Sequence, residues 1–164
     1  MTDYNIRNIV EEDFNQLSCV AEKCQPMTNM KPTVYHVFTR HFKGTSFVIE
    51  NKLNNAITGF LIGFISQDNP NDSYIHLICL DPSLRGKGFA KILVEKFIQA
   101  VSKRGCKRVC LVTKPHNHIS IKFYTKLGFE SYNSDKTVNM DGINVYKDYD
   151  GSGDDKIIFI KSIS

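Results

Sequence analysis

The sequence predicts a mixed α/β fold without internal repeats, on three observations. Residues 46–50 and 57–66 are β-rich runs separated by a short polar link, the pattern of an antiparallel hairpin. Residues 74–80 are nearly continuous in apolar and aromatic side chains, as a central strand buried on both faces requires. After Pro82 the period changes. Phe89, Ile92, Leu93, Phe97, Ala100 and Val101 then form one apolar stripe with Lys91, Glu95, Lys96, Gln99 and Lys103 opposite, and residues 108–113 return to a buried strand. Strand, helix and strand in that order imply a parallel pair joined by a right-handed crossover.

The remaining elements follow in order. Residues 4–10 alternate weakly and are rich in Ile and Val. Glu11, Glu12 and Asp13 then precede Phe14, Leu17, Val20 and Ala21 at helical spacing. Pro26 and Pro32 flank a loop, and Val34, Val37, Phe38, His41 and Phe42 recur at three- and four-residue steps as a second short helix that Gly44 ends. Gly59 and Gly63 predict a bend or bulge in the strand that carries them. Gly105 closes the long helix, residues 119–127 form another short helix before Gly128, and the tail runs through a loop dense in Asp and Gly to a last strand at Ile157, Ile158, Phe159 and Ile160.

Composition bounds the class. A chain of 164 residues, 41% hydrophobic and 23% charged, is long enough for one substantial core and short for two, so residues 1–164 are read as a single domain. The longest apolar stretch, 57–65, is broken by Thr58, Gly59 and Gly63 and falls well short of the roughly 20 residues that span a bilayer, which argues against a membrane partner. The first seven residues are polar, without the basic start and apolar run of a secretory signal, so a cytoplasmic protein is expected. Five cysteines, Cys19, Cys24, Cys79, Cys106 and Cys110, contain no C-x-x-C pair and fit reduced, mostly buried thiols. The net charge of +4 is dispersed, with no basic run that would suit a nucleic acid. It favours anionic ligands mildly.

Chemistry concentrates where the central strand runs into the long helix: Leu80, Asp81, Pro82, Ser83, Leu84, Arg85, Gly86, Lys87, Gly88, Phe89, Ala90. Gly86 and Gly88 let backbone N–H groups turn toward a ligand without Cβ obstruction, and the positive end of a helix dipole follows. That combination suits a pyrophosphate. Lys87 is followed by Gly88 where a nucleotide P-loop needs Ser or Thr for magnesium, so that motif is excluded.

Arg85 to Ala90 resembles the R/Q-x-x-G-x-G/A signature of the GNAT superfamily of acetyl-coenzyme A dependent N-acetyltransferases, with the L-x-P approach at Leu80 to Pro82. Asn117 to Phe129 is similar to the second signature of that family, N-x-x-S/A-x-x-F-Y-x-K-x-G-F, at the expected distance. The likeness is sharp between residues 74 and 129 and one of element order elsewhere. It implies a GNAT acyltransferase fold: a central mixed, mostly antiparallel sheet with a splayed parallel strand pair and helices on both faces. It further implies acetyl-coenzyme A as acetyl donor, no metal, and pantetheine between the splayed strands. The donor would be held by Ile78, Cys79, Leu80, Arg85, Gly86, Lys87, Gly88, Phe89, Ala90, Asn117, Ser120, Phe123 and Tyr124.

A thioester is already activated, so such an enzyme needs mainly to position a neutral amine, remove its proton and protonate the leaving thiolate. The resemblance points to Tyr124 as the general acid, a phenol with an ordinary pKa of about 10. The carboxylate base that many relatives carry on the central strand has no counterpart between Asp72 and Asp81. His76, on the face of Tyr74 by strand alternation, is the candidate base, acting directly or through water. Alternation gives Cys79 the opposite parity, so Cys79 and Cys110 are assigned to the core rather than to an acetyl-cysteine. His36, His41, His116 and His118 lack metal-ligand spacing, and residues 148–154 resemble a calcium loop only until Phe159 stands where the closing Glu belongs.

The acidic link 133–155, with Asp141, Asp148, Asp150, Asp154 and Asp155, would suit a cationic small-molecule amine acceptor, or would simply offset basic surface. Residues 34–48 resemble the diaminobutyrate branch of the family, without its central-strand sequence. A protein or peptide acceptor, and a non-catalytic acetyl-coenzyme A sensor, stay open, as does the oligomeric state, a homodimer included.

Overall fold

Alternating apolar residues fold the first part of the chain into an antiparallel meander. The computed structural model describes residues 2–24 and 32–163; the loop expected around Pro26 lies outside the described residues. Strands β1 (Tyr4–Asn8), β2 (Phe47–Asn51), β3 (Ile57–Ile65) and β4 (Asp72–Leu80) pair successively in that order. The expected turn between β2 and β3 is built on asparagines. Asn51 Oδ1 accepts from Leu53 N–H, Asn54 Oδ1 accepts from Ala56 N–H, and Asn55 takes the left-handed conformation that asparagine tolerates.

Helices α1 (Phe14–Glu22) and α2 (Pro32–His41) cover one face of these strands, burying Leu17, Val20, Ala21, Tyr35 and Phe38 against Phe60, Ile62 and Cys79. Each large side chain contributes about 1.5–3 kcal/mol by leaving water. The Arg7 guanidinium donates to both carboxylate oxygens of Asp13, at 2.8 and 3.0 Å, and to Glu50 Oε1 at 2.8 Å, so β1, the turn before α1 and β2 share one ionic joint. On the opposite face lies α3 (Phe89–Ser102), which buries Phe89, Leu93, Phe97 and Val101 of the predicted stripe and Val94 beside it, while Ile92 and Ala100 are half-buried. It closes at Gly105, which has φ +89°.

Both bulges fall close to the two strand glycines. Between β2 and β3 the register slips after Ile49, leaving Thr58 as the extra residue. Between β3 and β4, Ile62 opposes Leu77 while Gly63 opposes Ile75, so the extra residue is His76 on the partner strand. Gly63 is instead a site of close approach: a Cβ there would stand 2.5 Å from Phe97 Cε2 and 2.6 Å from the Tyr74 carbonyl.

Cys24, just past α1, and Cys79 of β4 are both buried and joined as a disulfide, with Cα atoms 6.0 Å apart. This corrects the expectation of reduced thiols: residues 55 apart in sequence meet because α1 packs along β4. Cys19, Cys106 and Cys110 lie outside this disulfide. Burial pushes the Cys106 thiol pKa up.

The chain divides into two compact units, Met1–Cys106 and Lys107–Ser164. In the second, β5 (Arg108–Thr113) pairs antiparallel with β9 (Ile157–Ser162), and the short β6 (Glu130–Ser131) pairs with the other side of β9. Helix α4 (His118–Lys126) follows β5 in the chain. Strands β7 (Thr137–Met140) and β8 (Ile143–Tyr146) form a hairpin where the sequence reading has only a loop. Its turn is Asp141–Gly142, with φ of +50° and +82°, the dipeptide that favours a tight hairpin turn.

Gly63→Ala is expected to destabilise the protein by about 1–3 kcal/mol, because both the Phe97 ring and the Tyr74 backbone must shift. A lowered urea midpoint at unchanged slope would show it; an unchanged midpoint would mean that the strand yields without cost.

Candidate functional site

In the first unit, the residues singled out by sequence lie consecutively on β4, the loop after it and the start of α3. Asp81 fixes the loop. Its N–H donates to the Thr58 carbonyl at 2.8 Å, and its carboxylate accepts from Ser83 N–H and the Ser83 hydroxyl, which hold it below the usual carboxylate range. Pro82, Ser83 and Leu84 make one turn of 3-10 helix, and buried Leu84 anchors it. Arg85, Gly86, Lys87 and Gly88 follow as an exposed segment in which Gly86 and Gly88 have φ of +74° and +84°. Both values lie in the left-handed region that favours glycine.

Gly88 is the N-cap of α3, so no side chain caps the first N–H groups of this 14-residue helix, and its first turn has no acidic residue. Those donors and the positive end of the helix dipole are what an anion would meet. Phe89 is buried and meets Tyr4 edge to face, and Ala90 is half-buried.

The bulge decides where His76 points. Its ring stacks on Phe38 at 5.1 Å between centroids and lies 6.2 Å from that of Tyr74, which in turn contacts Phe64. His76 therefore shares the α1–α2 face with Tyr74, as expected. The parity argument separating it from Cys79 fails, because an extra residue resets the alternation and Cys79 packs in the same cluster as Phe38. The residue as a whole stays exposed, yet packing against the ring withdraws enough water to push the imidazole pKa below its usual 6.5. Ile78 and Leu80 are half-buried and Cys79 is buried.

In the second unit, α4 carries the other set. Asn117 is its N-cap, with Oδ1 accepting from Ser120 N–H at 3.2 Å. Phe123 and Tyr124 meet edge to face at 5.0 Å; Tyr124 is buried, with its ring also against Phe129 and Phe159. Thus the phenol named as acid belongs to an aromatic core that orients it.

Three carboxylates of the acidic link, Asp150, Asp154 and Asp155, are paired with lysines. Lys156 is buried, with Asp150 Oδ2 at 3.2 Å and Asp154 Oδ1 closer still. Burial alone would lower the Lys156 pKa; the two carboxylates more than offset it, and the net shift is upward. Lys147 holds Asp155, and Lys114 lies 3.8 Å from Asp154. Among the described residues, no group of three or more His, Cys, Asp or Glu is placed to hold a metal ion, and no helix is long and apolar enough to cross a membrane.

Residues 6–129, spanning both signature segments, match the model of the acetyltransferase (GNAT) family. The chain belongs to that family. Among curated relatives, it is 24% identical over 112 residues to the L-2,4-diaminobutyric acid acetyltransferase of Nocardia farcinica, a match covering 68% of this chain and 57% of the relative. This chain thus spans little more than half of that protein. A solved diaminobutyrate acetyltransferase from Paenibacillus lautus, in complex with its substrate and coenzyme A, superposes with TM-score 0.71 at 16% identity, over 95% of this chain and 93% of that one. The ribosomal-protein-S18-alanine N-acetyltransferase from Escherichia coli superposes with TM-score 0.75 at 19% identity, over 98% and 94%. These likenesses show the fold, which is the one the sequence resemblance implies.

Asn117→Ala is expected to remove about 1 kcal/mol of stability by leaving the first turn of α4 uncapped. Chemical denaturation compared with Asn117→Asp, which keeps an accepting oxygen, checks it; equal losses in both variants would refute a capping role.

Proposed function

We propose that this GNAT protein is an N-acetyltransferase that moves the acetyl group of acetyl-coenzyme A to the primary amine of a small molecule, with residues 1–164 acting as one catalytic domain in the cytoplasm. The observation that carries the reading is the loop after β4. Two left-handed glycines and a helix start without a side-chain cap offer backbone N–H groups and a dipole to the donor pyrophosphate, beside the cations Arg85 and Lys87. Backbone groups of Ile78, Cys79 and Leu80 would bond the pantetheine amides. Phe89, Ala90, Asn117, Ser120 and Phe123 would complete the donor site. The diaminobutyrate relatives favour a small amine as acceptor, and no metal enters the reading.

Chemistry then needs two proton transfers. His76, with its pKa lowered by packing, is neutral at pH 7 and able to accept the proton of the attacking amine. Attack on the thioester carbonyl breaks the C–S bond, and the Tyr124 hydroxyl gives its proton to the departing sulfur. The aromatic packing around Tyr124 leaves its ring few orientations, which suits a positioned donor.

Release of free thiol from acetyl-coenzyme A over a panel of diamines, amino acids, aminoglycosides and N-terminal peptides tests the reading. Tyr124→Phe is expected to lower kcat by about 10²-fold or more with donor affinity kept. A variant that turns over as fast as the parent removes Tyr124 from the mechanism. His76→Gln is expected to remove the acidic limb from the pH profile. A lowered folded pKa places this limb below pH 6.5, activity rising as pH climbs through it and the imidazole loses its proton. A profile unchanged by the substitution would assign the base elsewhere.

A further inference from the structure

The C-terminal end of α1 is fastened to the donor loop by two contacts, and to the strand before it by a third, that the proposed chemistry does not use. Lys23 Nζ lies 3.1 Å from Asp81 Oδ2, the carboxylate that also holds Ser83. Arg85 donates through Nη2 to the Lys23 carbonyl at 3.3 Å. Cys24, the next residue, is bonded to Cys79, which lies between Ile78 and Leu80 on β4. The first two contacts are exposed and weak alone, since solvent screens a surface ion pair. The third is covalent, and it joins the residue next to Lys23 to β4.

We propose that the Cys24–Cys79 disulfide is a redox clamp that sets the affinity of this protein for acetyl-coenzyme A by fixing the end of α1 against the loop that runs from Asp81 to Arg85. This deepens the reading of that loop as the donor site and depends on it. With the bond closed, Lys23 is held at Asp81, and the Lys23 carbonyl keeps Arg85 turned toward α1, so the loop meets the pyrophosphate in one arrangement. With the bond open, α1 has only side-chain packing at its end, and the loop must be ordered at the moment of binding. The opening step is thiol–disulfide exchange with a low-molecular-weight dithiol. One thiolate of the reagent attacks Cys24 Sγ and expels Cys79 as thiolate, giving a mixed disulfide. The second reagent thiolate then releases Cys24 and leaves the reagent as its cyclic disulfide. The protein gains two electrons and two protons.

The same bond gives the clamp a reason to sit here. Cys79 packs under Val20, Ala21 and Phe38 in the core between the helices and the strands, so exchange at Cys24 is felt directly by β4. Cys19, Cys106 and Cys110 lie outside this bond.

Calorimetric titration of the intact chain with acetyl-coenzyme A, air-oxidised and after dithiothreitol, is the test, with alkylation and mass mapping to count thiols in each sample and circular dichroism to show that both stay folded. The oxidised protein is expected to bind about fivefold or more tighter than the reduced one. Cys24→Ser is expected to bind like the reduced protein in both buffers, and Lys23→Ala is expected to shrink the difference between them. Equal affinities in the two states would overturn the clamp, as would finding Cys24 and Cys79 both alkylated in the air-oxidised sample. Arg85→Ala separates this idea from the one beneath it: a loss of affinity in both states supports the donor site whatever the redox result, whereas unchanged affinity removes the loop from the donor site and the clamp with it.

Discussion

One extra residue in β4 organises the first unit. Because His76 is the extra residue where the register of β4 against β3 shifts, the alternation that would send every second side chain to each face is reset between Ile75 and Leu77. On the C-terminal side, Leu77 and Cys79 face the helices α1 and α2. On the N-terminal side, Ile75 is opposite Gly63 on the α3 side, and Tyr74 returns to the face of Phe64. The bulge thus lets a strand that is apolar along its whole length present an imidazole at its middle without breaking the core. It also sets the depth at which Cys79 meets Cys24.

Glycine makes that arrangement possible from the other strand. Gly63 carries no side chain, so Phe97 of α3 lies directly over the backbone, while Gly59 does the same for Leu80 and Ile49. Helix α3 is therefore seated closely on β3. Its start is positioned by packing of Phe89 and Leu93 rather than by a capping side chain, and this is why its N–H groups remain available to another partner.

Periodicity made most of the fold legible. The stripe of α3, the continuous apolar run of β4 and the asparagine turn after β2 were all written in residue types whose local physics dominates. What periodicity could not convey was register. The glycines suggested a bulge on β3, but its second extra residue sits across the ladder on β4, where nothing about His76 marks it. The parity assigned to Cys79 failed for that reason, and the disulfide was missed because a pair so far apart in sequence is joined only by the packing of α1. The hairpin of β7 and β8 was legible in principle: Val138 and Met140, then Asp141–Gly142, then Ile143 and Val145. A surrounding excess of Asp and Gly hid the alternation. At the site, both signature segments stood out because they combine glycine, proline and a helix start. The internal pairing of the acidic link did not, since Lys156 is one lysine among many until its burial is known.

The edge of the second unit closes on itself. Strand β6 has only two residues, and its outer side is not left open: the Asn144 side-chain amide donates to the Ser131 carbonyl, and Asn144 N–H donates to the Ser131 hydroxyl. A strand end that short, with its carbonyl already engaged by a neighbouring hairpin, offers no run of backbone on which another chain could add itself. The hairpin that the Asp141–Gly142 turn creates therefore guards a sheet margin against edge-to-edge aggregation, a role independent of any chemistry performed elsewhere in the molecule.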